Sequence, residues 1–284
     1  MPQNTDSAIY IVTGATGSIG TEIAHALASQ GKTVMLACRN MRKADALKKE
    51  LEASGCGGEI LTGELMLDSL AGIRSFADYV KSLRRQVAAL INNAGVMCRY
   101  RSVTADGFEQ TLAVNYLGTV LLTELLLPAV VDCGSVTFTT SITRKIHSLR
   151  EPILDEPARK FAQLGTYGRS KLALTHYALY LSQRSDVAQR GIRVNCADPG
   201  VVNTSMITMQ RWYDPLANVF FRPFISTPAQ GASSALSAMS SDASGQIFKH
   251  RHTPHHMATD LRKSDAALRR DFVVATRELL NLLP

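Results

Sequence analysis

A doubly wound α/β domain, its parallel sheet covered by helices on both faces, is the fold that three features of the sequence predict. Short β-branched apolar runs recur along the chain, each followed by a segment of helical periodicity. The runs are apolar throughout rather than alternating, as in strands buried on both faces. No Gly/Ser-rich linker interrupts the series, so residues 1–284 read as one domain.

The elements follow in order. "AIYIV" (8–12) is the first strand and precedes a helix from Ser18; "TVMLAC" (33–38) precedes the helical "RKADALKKELEAS". "EILTGELM" leads to the helix "SLAGIRSFADYVKSLRR", and "VAALIN" (87–92) to a long helix around "FEQTLAVNYLGTVLLTELLLPAV". "SVTFTT" (135–140) leads through a loop to a helix holding Tyr167, and "IRVNCA" (192–197) is a further strand. Residues 143–163 and 203–227 read as long connections, which in such folds are often functional. There is no repeat at solenoid spacing and no low-complexity tract.

Composition narrows the function classes. Hydrophobic residues make up 45% of the chain and charged ones 19%, ordinary for a protein with a large core. The net charge of +7 invites a nucleic-acid partner. Against it, "RNMRK" and "KSLRR" fall on separate helices, with acids interleaved and no aromatics between, so no nucleic-acid partner is expected. The start "MPQNTDSAIY" is polar, and no apolar run reads as long enough to span a bilayer. The expectation is a cytoplasmic protein without a membrane anchor. Cys38, Cys56, Cys98, Cys133 and Cys196 are scattered with no CxxC, which reads as free thiols in a reducing compartment. "KHRHTPHH" (249–256) holds four histidines but no acid or cysteine at ligand spacing, and Lys249 and Arg251 repel cations. It reads as a solvated basic loop, with no metal expected.

Two stretches carry the chemistry. "TGATGSIG" (13–20) follows the first strand and opens the first helix, where a glycine-rich turn lets backbone approach a pyrophosphate at a helix N-terminus. At the end of the second strand, where an acid would meet the ribose hydroxyls of NAD, stands Arg39, with Arg42 and Lys43 close behind. A guanidinium there binds a 2′-phosphate, so NADP(H) is expected over NAD(H). In "TYGRSK" (166–171), Tyr167 and Lys171 sit four apart, on one helix face.

These residues give the chain a resemblance to the short-chain dehydrogenase/reductase family, most closely its retinol-dehydrogenase-like branch. The carriers are "TGATGSIG", "ACRN", "LINNAGVMCRY…TADGFEQTLAVNYLG", "GSVTFTTS", "YGRSK" and "DPGVVNT", in family order from about residue 8 to the C-terminal helix. The resemblance implies a Rossmann-type fold in which Tyr167 donates or accepts the proton, Lys171 activates it, Ser141 orients the carbonyl and Asn115 holds a water relay. It implies cofactor binding by Gly14, Thr16, Gly17, Ser18, Ile19, Gly20, Arg39, Asn40, Asp68, Asn93, Ala94, Gly95, Tyr167, Lys171, Pro199, Gly200, Val202 and Thr204, with Asp68 at the adenine and the "PGVVNT" segment at the nicotinamide. In most relatives of this branch a glycine stands where this chain has Ser18; the spelling here fits TGxxGxxG, seen in longer members. The serine pair is written Thr140–Ser141, with Ser141 taken because it ends the "GSVTFTTS" run and Thr140 as the fallback.

The residue types suit carbonyl–alcohol interconversion. The cofactor brings the hydride, and the protein's share is orientation and acid–base work. A lysine cation about 4 Å from a tyrosine, at an effective dielectric of about 20, is expected to lower the phenol pKa by about 2–3 units. Residues 205–227 gather Trp212, Tyr213, Phe220, Phe221 and Phe224, which suggests a bulky apolar small-molecule substrate, retinoid-like, steroid-like or long-chain, with a homo-oligomer contact or ordinary core packing as the alternative use. The rival from another class is an NADP(H)-sensing regulatory protein on the same fold, without catalysis.

Overall fold

Six strands form at the apolar runs: β1 Ile9–Thr13, β2 Thr33–Cys38, β3 Ile60–Glu64, β4 Val87–Asn92, β5 Val130–Thr139, which starts five residues before the run read at 135–140, and β6 Arg193–Asp198. The computed structural model of the chain describes residues 8–55, 57–150, 153–154, 161–202 and 225–282. Two short strands, β7 Val201–Val202 and β8 Ile225–Ser226, pair with each other, and β9 Gln246–Lys249 and β10 His252–His256 complete the main sheet. Its order is β10-β9-β6-β5-β4-β1-β2-β3, parallel except for the β10 edge. The chain winds outward from β1 through β2 to β3, then returns to β4 on the other side. The carboxyl ends of β1 and β4 therefore flank the switch point where such folds bind ligands.

Side chains alternate between two cores. Ile9, Ile11, Met35 and Ala37 enter one, with Ile73, Phe76, Val120, Leu121 and Tyr177. Val12, Val34 and Leu36 enter the other, with Ile23, Leu27, Leu47 and Ala235. With every position of β2 buried, both faces of the strand are apolar after its first residue, Thr33. Among the described residues the helices are α1 Ser18–Ser29, α2 Met41–Ala53, α3 Leu70–Ser82, α4 Gln110–Ala129, α5 Gln163–Ser182, α6 Ser185–Gln189, α7 Pro228–Ser240 and α8 Arg269–Leu279. Asn40 and Ser69 cap α2 and α3 by accepting from the Lys43 and Gly72 amides, and Thr227 with Gln230 forms a capping box ahead of Pro228 in α7.

Two expectations need correction. Residues 249–256 face solvent as expected, with 251–254 exposed, but they are not a loop: they lie in the β9–β10 hairpin at the sheet edge. Their histidines have local work. His250 Nδ1 bonds Ser233 Oγ at 2.8 Å, His255 Nε2 lies 3.0 Å from the Asp260 carboxylate, and His256 Nδ1 accepts from the Ala258 amide. Second, α4 is long and apolar enough to cross a bilayer, with a mean hydropathy of 1.5, contrary to the reading that no run reaches that length. Most of it is buried inside the protein, and burial against the sheet, α3 and α5 accounts for its composition. Within α4, Ala113–Leu117 form a single π turn. There Tyr116 stacks on Phe272 of α8 and its hydroxyl meets Thr276 Oγ1 at 2.8 Å, fixing the turn from behind.

Candidate active site

Glycine makes the first wall of the site. Gly14 follows β1 with φ of +63°, a left-handed conformation that favours glycine, and its amide donates to Ala37 O at 2.9 Å. A Cβ on Gly20 would stand 2.2 Å from the Gly14 carbonyl oxygen, so only glycine lets the turn lie on α1. Gly17, the residue before α1, gives its first-turn amides no side-chain cap and leaves them available to an anion. Opposite, the Asn93 and Ala94 amides both donate to Thr13 Oγ1 at 3.0 Å, and Asn93 Nδ2 donates to Thr13 O at 3.0 Å. The ends of β1 and β4 are thus tied across the switch point.

Between these walls runs a cleft of about 470 Å³. Of the residues expected at the cofactor, Gly14, Thr16, Gly17, Ser18, Ile19, Gly20, Arg39, Asn40, Asp68, Asn93, Ala94 and Gly95 line it together, Arg39 exposed at the end of β2. Asp68 accepts from Gln110 Nε2 at 2.7 Å, which orients its carboxylate at the wall. Pro199 and Gly200 follow β6 at the same sheet edge, and Val202 is in the β7–β8 pair. Thr204 and the aromatic residues Trp212, Tyr213, Phe220, Phe221 and Phe224 lie outside the described residues. Lys43, Cys38, Leu65, Leu67, Val96 and Val114 also line the cleft. Apart from Lys43, they were unreadable as site residues because apolar cleft and apolar core look alike in a sequence.

Asn115 occupies the π turn, a distortion that recurs at functional sites. Its Oδ1 accepts from the Val96 amide at 2.7 Å; its Nδ2 donates to Val96 O at 2.8 Å and to Ser170 Oγ at 3.0 Å. Ser170 in turn donates to Tyr167 O at 2.7 Å. Gly95 closes this group, since a Cβ there would be 3.3 Å from both Asn115 Oδ1 and Lys171 Nζ. The cleft wall, Asn115 and Lys171 are therefore neighbours.

Ser141, just beyond β5, lies beside the Tyr167 side chain, and its Oγ accepts from Thr143 Oγ1 at 3.1 Å. Thr140, the fallback, turns away: its hydroxyl is buried against Thr175 Oγ1 at 2.7 Å. Lys171 Nζ donates to Thr139 O at 2.8 Å and stands 5.8 Å from the centre of the Tyr167 ring. Gly168 gives room to His147, whose ring would be 2.6 Å from a Cβ there.

The expected lysine effect on the tyrosine is not met in this arrangement. Burial pushes the Tyr167 phenol up to about 12, opposed by the Ser141 hydrogen bond and reinforced by the Asp198 charge. Burial likewise pushes the Lys171 ammonium down to about 8. The cation is aimed at a backbone carbonyl, and loss of water outweighs its attraction to a phenolate.

A glycine turn on a helix N-terminus at the switch point, with a lysine, a tyrosine and a serine hydroxyl gathered next to the cleft, defines a dinucleotide-binding α/β enzyme. Residues 8–213 match the short chain dehydrogenase family. Retinol dehydrogenase 12 of Bos taurus is 34% identical over 231 residues, covering 80% of this chain and 72% of its own length. Polyprenol dehydrogenase of Mus musculus is 34% identical over 231 residues, 79% of this chain and 69% of its own. The crystal structure of an uncharacterised protein from Mycobacterium paratuberculosis superposes with a TM-score of 0.77 at 27% identity, covering 98% of this chain and 94% of that one. The chain belongs to the short-chain dehydrogenase family, in its retinol-dehydrogenase-like branch. It is an oxidoreductase of carbonyl and alcohol groups that uses a nicotinamide cofactor. The residues present fit that group: a side-chain-free turn at 14–20, uncapped amides at the start of α1 and a bare Gly95 next to Lys171.

Proposed function

We propose that the protein interconverts a carbonyl and an alcohol on a bulky apolar substrate with NADP(H), Tyr167 transferring the proton. The gathering of Ser141, Tyr167 and the Lys171 cation, whose Nζ stands 5.8 Å from the centre of the Tyr167 ring, is the observation that carries this reading. Arg39 and Lys43 at the cleft support the 2′-phosphate, since both are cationic and Arg39 occupies the strand-end position where an acid would repel it. Gly14, Thr16, Gly17, Ser18, Ile19 and Gly20 would hold the pyrophosphate, Asp68 the adenine side, Asn93 to Gly95 the adenosine wall, and Pro199, Gly200, Val202 and Thr204 the nicotinamide side. When bound, the cofactor supplies or takes up the hydride.

The chain's own residues do the rest. Ser141 lies beside Tyr167 and can offer its hydroxyl to a substrate oxygen, fixing that oxygen within reach of the phenol. Tyr167, held protonated, is a general acid in reduction. In oxidation it must give up its proton first, and Lys171 supplies the positive charge that favours this once it turns from Thr139 O. Asn115, sewn to Val96 and Ser170, keeps the wall beside Lys171 rigid and could hold the relay water. The relatives' names, retinol and polyprenol dehydrogenase, point to alcohols with long apolar bodies, in keeping with the aromatic residues of 205–227.

The test is turnover of purified protein with NADPH and with NADH against retinal, a polyprenal, a steroid ketone and a small aldehyde, with product identification. NADPH-dependent reduction favouring the large carbonyls is expected. Preference for NADH, or for the small aldehyde, contradicts the corresponding part of the reading.

A further inference from the structure

Directly behind Ser141 lies a buried charge network with no place in the chemistry so far. Arg144, on the short helix Ile142–Ile146 that Ser141 opens, is fully buried. Its Nη1 donates to the Ser141 carbonyl at 2.6 Å and to Asp198 Oδ2 at 2.8 Å, and its Nη2 donates to Asp260. Asp198 ends β6, next to Pro199 and Gly200, and its Oδ1 accepts from the Gly200 amide at 3.2 Å. One guanidinium thus joins Ser141, beside Tyr167, to the turn that follows β6.

Burying an arginine is costly, and a purely structural staple between two loops could be apolar. What an apolar staple could not do is balance Asp198. That carboxylate is buried, and its charge acts on Tyr167 against ionisation. We infer that Arg144 is a positioning residue for proton transfer: it fixes the Ser141 backbone and pairs the Asp198 carboxylate, so that Asp198 can hold the Gly200 turn while its opposition to phenolate at Tyr167 is kept small. The inference rests on Tyr167 being the proton-transfer group.

The other charges around Tyr167 define the setting. Lys171 comes from its own helix, and His147 packs on Gly168. From the network, Lys145 reaches Asp260 at 2.6 Å, His255 reaches it at 3.0 Å, and Lys249 of β9 lies 3.6 Å from Asp198. Lys249 is the farther and more exposed partner of Asp198, so removing Arg144 leaves that carboxylate largely uncompensated.

Titration of Tyr167 tests this without any substrate. In protein labelled with 13C at tyrosine Cζ, the Tyr167 resonance is assigned by its loss in Tyr167→Phe, and its midpoint is followed with pH. Arg144→Met should raise the midpoint by about one pH unit, the scale of one nearby charge in a protein interior. Asp198→Asn, which can still accept from Gly200, should lower it. Arg144→Met with Asp198→Asn should return it close to that of the unaltered protein. A staple without electrostatic effect predicts that Asp198→Asn leaves the midpoint where it was and does not reverse the Arg144→Met shift, and either result overturns the inference. If Arg144→Met does not fold, Asp198→Asn alone decides. Turnover by Tyr167→Phe is measured alongside: if it persists, the proton-transfer reading fails, whereas its loss with unmoved midpoints removes only the role of Arg144.

Discussion

Lys171 donates to the Thr139 carbonyl at 2.8 Å, not to the Tyr167 hydroxyl one helical turn away. The lysine is therefore stored as a buried cation against backbone, with its charge held near the bottom of its useful range. With burial pushing it down to about 8, Lys171 loses its proton as pH rises through that value. Tyr167, pushed up to about 12, keeps its own. Carbonyl reduction needs both groups protonated, so kcat/KM for NADPH, which reports on the free enzyme, should fall as pH rises through about 8. A profile flat well beyond that pH would show that the lysine charge does not limit the free enzyme.

Arg39 makes a prediction about the cofactor. Arg39→Asp puts a carboxylate where a 2′-phosphate would sit and removes its partner. Affinity for NADPH should drop by about 10-fold or more, the scale of a lost charge-assisted hydrogen bond, while NADH binding is kept or improved. Fluorescence titration with both cofactors measures the ratio; an unchanged ratio places the 2′-phosphate elsewhere or nowhere.

Gly20 tests the phosphate turn. The added Cβ of Gly20→Ala meets the Gly14 carbonyl oxygen at 2.2 Å and backbone at 2.8 Å, with no flexible side chain to yield. The turn must shift, at a cost of about 1–3 kcal/mol in thermal or denaturant unfolding, and cofactor affinity should fall with it. Gly31→Ala is the control, because its Cβ would meet nothing although it also has positive φ. It should lose stability but keep cofactor affinity.

His176 makes a prediction about acid stability. It is fully buried in α5, with Nδ1 accepting from Arg269 Nε at 3.2 Å, and burial pushes it from an ordinary 6.5 down to about 3. Above 6.5 both folded and unfolded chains hold it neutral. As pH falls from 6.5 towards 3 the unfolded chain takes up the proton first, so stability is progressively lost across that window. His176→Gln should flatten the decline there in urea-unfolding measurements. An identical slope would mean that other groups carry the acid sensitivity.

Much of this was legible beforehand, for physical reasons. β2 and β4 fall on the residues read from their apolar runs, because strands buried on both faces leave an unbroken signature. Tyr167 and Lys171 stood out by their shared helix face, their roles and that of Ser141 came from the family resemblance, and the structure brings the three to one place. What escaped had no such mark. The "QIFK" run of β9 is four residues beside a string of histidines, and only its place next to β6 makes it a strand. The cleft's Leu65, Leu67 and Val114 share their composition with the core. Arg144 falls in the stretch read only as a long connection, and its partners Asp198 and Asp260 are 54 and 116 residues away. The lysine effect on Tyr167 was misjudged because spacing reveals a shared face but not where an ammonium points or how dry its surroundings are.

The most direct measurement is turnover of Tyr167→Phe. The substitution keeps the ring and its packing while removing the hydroxyl that meets Ser141. The account predicts a folded protein that binds NADPH like the unaltered one but reduces its carbonyl substrate about 100-fold more slowly or worse, the scale of general acid–base catalysis. Near-normal turnover by a well-folded Tyr167→Phe protein would contradict it.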